Sequence, residues 1–218
     1  HQTQLFSARG RVGYNTRFSR TQLALVARYD EIWSTNLGKE AKSSRAIPGV
    51  DGVRYTHSGE RLNLTAALEQ TFYFGAWTLN VGGMSSQNSA YGLAYGYGAD
   101  LSYQIIPSVA ASVSANSAYR LPTFTDLYYQ SATRVGNEKL HPEEALTLEG
   151  GLTAEREWLR ASGSLFYRMG SNIIDWQQES PTSTVWRAQN VKRLNTAGGE
   201  VVVSVLPQLS FLKNVSVA

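Results

Sequence analysis

The feature that most constrains this chain is a two-residue hydrophobic period that keeps one phase through segment after segment. In Leu5 to Tyr14, Phe6, Ala8, Gly10, Val12 and Tyr14 share a face, with Ser7, Arg9 and Arg11 on the other. Arg20 to Trp33 sets Leu23, Leu25, Ala27 and Tyr29 against Gln22, Arg28 and Asp30. The third segment is the clearest: Leu62, Leu64, Ala66, Leu68 and Phe72 alternate with Asn63, Thr65, Glu69 and Thr71. Alternation of this kind is the signature of half-apolar β-strands. It continues through Trp77–Ser85, Tyr95–Ile105, Val109–Tyr119, Ala145–Ala154, Trp158–Met169 and a ninth segment reaching Val205, with a turn at Pro207 and a tenth strand from about Phe211.

The connections alternate in length. Short turns are expected around Asn15–Ser19, Gly75-Ala76, Ile106–Ser108 and Glu155–Glu157, and longer loops at Ser34–Glu60, Ser86–Leu93, Tyr119–Ala145 and Gly170–Gln189. Strands of roughly 10–12 residues exceed the ~5–6 of globular sheets, and transmembrane β-barrels combine such strands with short turns at one end and long loops at the other. Aromatics fall at strand ends. Tyr14, Phe72, Phe74, Trp77 and Tyr103 lie beside short turns, and Tyr29, Trp33, Tyr95, Tyr97, Tyr119 and Tyr167 beside long loops. Two such belts suit the two headgroup levels of a bilayer. Trp158 has the wrong parity for this scheme. The polar faces are too charged for a dry core, because a buried unpaired charge costs several kcal/mol. The alternatives are a soluble β-sandwich or lipocalin-like binder with one solvated face, and an outer-membrane adhesin barrel.

Composition excludes several classes. The net charge of +3 is small and its Lys and Arg are scattered, so no nucleic-acid surface is indicated. There is no Cys and hence no disulfide or thiolate site. The three His, at 1, 57 and 141, have no ligand spacing, so no metal or cofactor is expected. No nucleophile elbow, P-loop or metalloprotease motif occurs, and an enzyme is not expected. No run of ~20 apolar residues suggests a transmembrane helix. The chain opens without Met or a signal-like segment and stops in what reads as mid-strand, so it is expected to be a fragment.

The Tyr119–Leu148 stretch is polar and Tyr-rich, with Pro122 and Pro142 at its two ends. Loops this long on a β-scaffold carry function. The adjacent Glu143 and Glu144 would point apart on a strand and read as solvated.

This stretch resembles the barrel of TonB-dependent outer-membrane receptors. The resemblance rests on Tyr119-Arg120-Leu121-Pro122, Asp126-Leu127-Tyr128 and Asn137-Glu138-Lys139-Leu140-His141-Pro142-Glu143, followed by a strand bearing Glu149. Asn190-Val191 and Gly199-Glu200-Val201 resemble the next hairpin. It implies an all-β, antiparallel transmembrane barrel segment of about ten strands, part of a ring of about 22, in a Gram-negative outer membrane. Residues 1–218 would belong to a C-terminal barrel, with the plug domain and final strands outside this chain. The implied partners are outer-membrane lipid, a small-molecule chelate (cobalamin or a ferric siderophore) and TonB, reached through a missing N-terminal part. Haem receptors of the family carry a His between the two boxes, and none lies between Arg120 and Gly136. Loop candidates for ligand contact are Arg45, Arg54, Tyr55, His57, Tyr128, Tyr129, Arg134, Trp186 and Arg187, since Arg and Tyr combine donors with flat apolar faces. Ten strands cut from a ring leave two open edges, from which self-association is expected.

Overall fold

The computed structural model describes residues 1–205; the expected turn at Pro207 and strand at Phe211 lie outside the described residues. It is an antiparallel meander of β1 (Gln2–Asn15), β2 (Ser19–Ser34), β3 (Lys39–Ala46), β4 (Arg54–Phe74), β5 (Trp77–Asn88), β6 (Gly92–Ile106) and β7 (Val109–Arg120). A short helix α1 (Phe124–Tyr128) and β8 (Arg134–Val135) precede β9 (Glu143–Arg156), β10 (Leu159–Gln178) and β11 (Trp186–Val205). The sheet order is β1-β2-β4-β5-β6-β7-β9-β10-β11-β8, with β3 paired to β4 beside this path.

The register carries the sequence phase across the whole sheet. Residues directly opposite in an antiparallel pair share a face. Gly10 pairs with Leu25, Leu25 with Ala66, Leu79 with Leu101, Leu101 with Val113 and Gly150 with Leu165. One continuous outer face is therefore apolar. The other face carries Glu69, Asn80, Asp100, Asn116 and Glu149, along with Arg9 and Arg11. On this inner face Asn116 Nδ2 donates to Asp100 at 3.0 Å and Thr71 Oγ1 to Asn80 at 3.2 Å.

Among the described residues no core lies beneath the apolar face. Leu68 is 54% exposed, Leu165 73% and Val201 79%. In water each such residue forgoes the ~1.5–3 kcal/mol that burial would supply. In a bilayer hydrocarbon covers it, and strand amides at that depth are satisfied by pairing with a neighbouring strand. The lower aromatic belt is present: Phe74 pairs with Trp77, whose ring centroid is 4.5 Å from that of Tyr103. Trp158 lies in the β9–β10 turn rather than on a strand, so parity does not apply to it.

Several boundaries differ from the sequence expectation. The strands run well past the lipid-facing alternation: β4 and β10 are 21 and 20 residues long. The expected Ser34–Glu60 loop contains β3 and the upper third of β4, and the expected Gly170–Gln189 loop is mostly the extended β10–β11 hairpin. Above the hydrocarbon no apolar face is required, so alternation disappears while backbone pairing persists. The expected Ser86–Leu93 loop is only the tight turn Ser89–Tyr91. Asn88 Oδ1 accepts from the amides of Ala90 and Tyr91 at 2.8 and 2.9 Å, and Gly92 supplies φ +73°.

The two faces should tolerate charge unequally. In the intact protein folded into vesicles, Leu68→Arg should cost about 2–4 kcal/mol, the midplane value for a lipid-facing cation. Glu69→Arg, one residue away on the inner face, should cost less than about 1 kcal/mol. Equilibrium unfolding of both variants checks this.

Candidate functional site

The buried apolar residues of the chain gather above the lipid-facing band. Leu127, Leu140 and Ala188 form a cluster, with Tyr128, Ile174 and Trp176 packed against it. The cluster exists because the segment between β7 and β9 does not loop outward. It crosses the inner face from β4 on one side to β11 on the other. At the β4 end, Arg61 Nη1 donates to the buried Pro122 carbonyl at 2.5 Å, and the guanidinium lies 4.2 Å from the Phe124 ring centroid. At the β11 end, Arg134 and Val135 pair in parallel with Trp186 and Arg187. Asn137 Nδ2 donates to Ala188 O at 3.1 Å, and Asn190 exchanges two hydrogen bonds with the His141 backbone at 2.9 and 3.0 Å.

Local chemistry fixes this path. Pro122 ends β7, and Thr123 caps α1 in a capping box with Asp126. Arg120 then clamps the two ends of the segment together. Its Nε and Nη2 donate to the two carboxylate oxygens of Glu143 at 2.7 and 2.6 Å, and its Nη1 lies 3.5 Å from Asp126 Oδ2. Glu143 also accepts the Ile174 amide at 2.7 Å. It is 8% exposed, so the expected solvated pair of glutamates is half wrong: Glu144 is exposed, and Glu143 is a buried ion-pair partner. The Arg120 hydrogen bonds hold the Glu143 carboxyl below its ordinary 4.5, against the opposing effect of burial. Gly136 allows close packing, since a Cβ there would lie 2.7 Å from the Leu127 carbonyl carbon. Its amide and that of Asn137 bond back to the carbonyls of Tyr129 and Asp126 at 2.6 and 2.9 Å.

The sequence motif thus has a structural meaning. Arg120, Asp126 and Glu143 form the clamp, Pro122 is the stop, Leu127, Tyr128 and Leu140 supply the cluster, and Asn137 is the tie to β11. Tyr119 and Pro142 stand at its two ends, facing a separate cavity in the wall. Glu149 is not part of this segment; it lies on the inner face of β9, opposite Ser114 and Phe166.

A cleft of about 580 Å³ lies between the β3–β4 hairpin and α1. Lys39, Lys42 and Arg61 line it together with Glu31, Glu40 and Glu60, and Trp33, Phe124 and Tyr128 give it aromatic walls. Burial lowers the Arg61 pKa, and its Nε is buried without a hydrogen-bond partner. Its strand neighbour Asp30 is engaged by Arg28 at 2.9 and 3.0 Å. Burial raises the Tyr128 hydroxyl above its ordinary value.

Of the loop candidates, Tyr128 alone lines this cleft. Arg45 lies 5.7 Å over the Trp33 ring, Arg54 donates to Ser44 Oγ and O at 2.7 Å each, and Tyr55 is 5% exposed. His57 Nδ1 is 2.9 Å from Thr56 Oγ1. These four share the β3–β4 hairpin. Tyr129 packs edge-on to Trp176 at 6.3 Å, Arg134 and Trp186 pair in the β8–β11 ladder, and Arg187 pairs with Glu179 at 2.5 Å, forming a second group on the far side. Sequence reasoning passed over Arg61, Lys39, Lys42 and Phe124. The available signal was Arg61 itself, a cation just above the apolar alternation of β4.

The comparisons agree with this architecture. A model of the family described as "TonB dependent receptor-like, beta-barrel" matches residues 2–216. The vitamin B12 transporter BtuB of Photobacterium profundum is 26% identical over 152 residues, 69% of this chain and 24% of that protein. The BtuB of Vibrio vulnificus matches similarly, at 26% over 155 residues. The chain therefore spans about a quarter of these curated relatives. Among solved structures, the ferric enterobactin receptor PfeA of Pseudomonas aeruginosa has a TM-score of 0.70 at 17% identity, covering 95% of this chain and 33% of that one. The copper transporter OprC gives 0.70 at 14%, covering 95% and 35%. At such identities these structures support the fold alone.

The clamp has a worked pH sign. A carboxyl held below its unfolded pKa stabilises the segment at neutral pH, and that stability is lost as pH falls through the depressed value. Hydrogen-exchange protection of residues 121–142 in the intact protein, taken relative to the intrinsic rate at each pH, should be high at pH 7 and fall below pH ~4. Arg120→Ala leaves the Glu143 carboxylate without its cation, costs about 1–3 kcal/mol and should remove the neutral-pH protection.

Proposed function

Since the chain belongs to the TonB-dependent receptor β-barrel family and so forms wall of a Gram-negative outer-membrane barrel, we propose that the whole protein takes up a scarce chelate across that membrane. The plug, the TonB-contacting segment and the closing strands lie elsewhere in the same polypeptide. This segment acts as receptor wall and ligand-facing mouth, not as an enzyme. Association with a second copy through the open edges has no support in the structure or the relatives.

The observation that carries the reading is the cleft between the β3–β4 hairpin and α1, held above the hydrocarbon by the inward-folded β7–β9 segment. Its three acidic and three basic side chains balance, and its walls are aromatic. A large, nearly neutral ligand with a hydrogen-bonding rim fits this better than a strongly anionic one. Together with the BtuB likeness, this favours cobalamin. A ferric siderophore is the second reading, supported by the partly buried Arg61 cation, which among the described residues makes no ion pair. A haem ligand has the weakest support, because neither His57 nor His141 lines the cleft.

Titration of the intact receptor with cyanocobalamin, a ferric tris-catecholate and haemin tests this. Cyanocobalamin should bind, and Tyr128→Ala should weaken it about tenfold, about 1.4 kcal/mol. Arg187→Ala, outside the cleft, should change it less than about twofold. Equal losses in the two variants would remove the cleft from the ligand site. Exclusive binding of the ferric complex would keep the receptor reading and replace the ligand.

A further inference from the structure

The wall parts along one seam above the lipid band. β6 and β7 pair from Ile106 and Val109 up to Gly98 and Asn116, and there their ladder stops. Both strands continue upward: β6 stays paired with β5 as far as Gly92, and β7 with β9 as far as Arg120. Other seams run to the top, as β4–β5 does to Asn63 and Asn88 and β10–β11 to Gln178 and Trp186. The parting opens at the level of Tyr97 and Tyr119 in the upper aromatic belt, so the freed backbone groups meet headgroups and water rather than hydrocarbon. A cavity of about 450 Å³ lies in it, with Tyr91, Tyr95 and Tyr97 on one side and Tyr119, Leu121 and Pro142 on the other. Two bodies separated by such a cavity lack the interdigitated side chains that lock a packed interface. The arm of β6 beside it carries Gly92, Gly96 and Gly98, and glycine in a strand leaves the backbone easier to bend.

The parting divides the upper wall into two rims. The first runs from β1 to β6 and includes the β3–β4 hairpin. Its β5–β6 turn is tied to β4: the Ser89 amide donates to Leu62 O at 3.0 Å, and the Leu62 amide to Ser89 Oγ at 3.1 Å. The second is β7, β9, β10 and β11. It holds the inward-folded segment by the Arg120–Glu143 fork, the Asn137 and Asn190 bonds and the β8–β11 ladder. Contacts between the rims are sparse. Among the described residues, the polar contacts that cross above Gly98 and Asn116 are the Ser117 hydroxyl with the Tyr97 amide and carbonyl at 2.7 and 3.0 Å, Lys39 with Glu138 at 3.7 Å, and Arg61 with Pro122 O at 2.5 Å. Lys39 and Glu138 are both exposed, and a surface pair of that length holds little. Arg61 is the substantial tie, since its guanidinium also lies against the Phe124 ring, which packs over Gly59. It is incompletely satisfied: it donates to one neutral carbonyl, and its Nε is buried with no partner, whereas Arg120 grips both oxygens of a carboxylate. A buried donor without a partner favours any arrangement in which water reaches it.

We infer that the upper wall is hinged at Gly98 and Asn116, with Arg61 as its latch. The β7–β11 rim and the segment it carries swing as one body against the β1–β6 rim. The cleft lies on the line where the two meet: Lys39, Glu40 and Glu60 belong to the first rim, and Phe124, Leu127 and Tyr128 to the second. Swinging apart widens the cleft, and Arg61 closing on Pro122 and Phe124 narrows it. The motion follows from the wall alone; its use in admitting a ligand rests on the reading of the cleft given above.

Distances between paired nitroxide labels in the intact receptor, reconstituted in vesicles and free of other cysteines, test this without any ligand. One pair, at Ala46 and Gln177, spans the two rims; the other, at Ala132 and Gln177, lies within the second. The rim-spanning pair should show a shorter main distance and a longer minor one. Arg61→Ala should raise the ratio of longer to shorter about tenfold, the scale of one charge-assisted contact. Arg61→Lys, which keeps the charge without the fork, should raise it by less, and Glu138→Ala should change it less than about twofold. The pair within the second rim should keep one distance in every variant. A ratio unchanged in both Arg61 variants, or an equal spread in the within-rim pair, would overturn the hinge. Either result leaves the ligand titration of the cleft unaffected, so the two readings fail separately.

Discussion

Everything in this chain depends on one demand: a backbone amide in hydrocarbon must find its partner in a neighbouring strand. That demand imposes long strands, side-by-side pairing and a strict division between an outer face wetted by lipid and an inner face wetted by water or protein. The register shows how strictly the division is kept, since a slip of one residue in any pair would turn a whole apolar row inward. The outward face instead stays apolar in every long strand, at Val12, Leu25, Ala66, Leu79, Leu101, Val113, Leu148, Leu165 and Val203.

Because the wall is one sheet thick, it has no interior to bury side chains in. Among the described residues, the only buried apolar cluster forms where the chain leaves the lipid band and folds across the inner face. There ordinary soluble-protein chemistry returns: a helix cap, an Arg–carboxylate clamp, an Asn tie and a glycine chosen for contact distance. The Arg120–Glu143 pair closes the base of a segment that reaches from β4 to β11, and so couples distant parts of the wall through one loop. The aromatic, charge-balanced cleft owes its α1 wall to that fold.

How much of this the sequence disclosed depended on the solvent each residue meets. Within the lipid band, alternation was enforced, and strands such as Leu62–Phe72 were legible residue by residue. Above it, Lys39–Ala46 and Arg54–Glu60 pair through their backbones outside the hydrocarbon, so no apolar period marked them as strands. The motif of the β7–β9 segment was visible, but its geometry was not. That Arg120 meets Glu143 across 23 positions, or that Asn137 reaches the Ala188 carbonyl, follows from tertiary folding that spacing does not encode. Arg61 was missed for the same reason: its partners, Pro122 and Phe124, arrive from a segment three strands away.

The two-faced wall can be tested directly with nitroxide labels. The segment contains no Cys, so single substitutions at Leu64, Leu68, Leu101 and Leu148 and at Glu69, Asp100, Asn116 and Glu149 each give a unique label within it. In the intact protein in bilayers, the leucine positions should collide with oxygen and be shielded from a water-soluble nickel chelate. The inner positions should show the reverse, or be shielded from both where the barrel is filled. Nickel accessibility at the leucine positions equal to that at exposed loop sites would contradict the account.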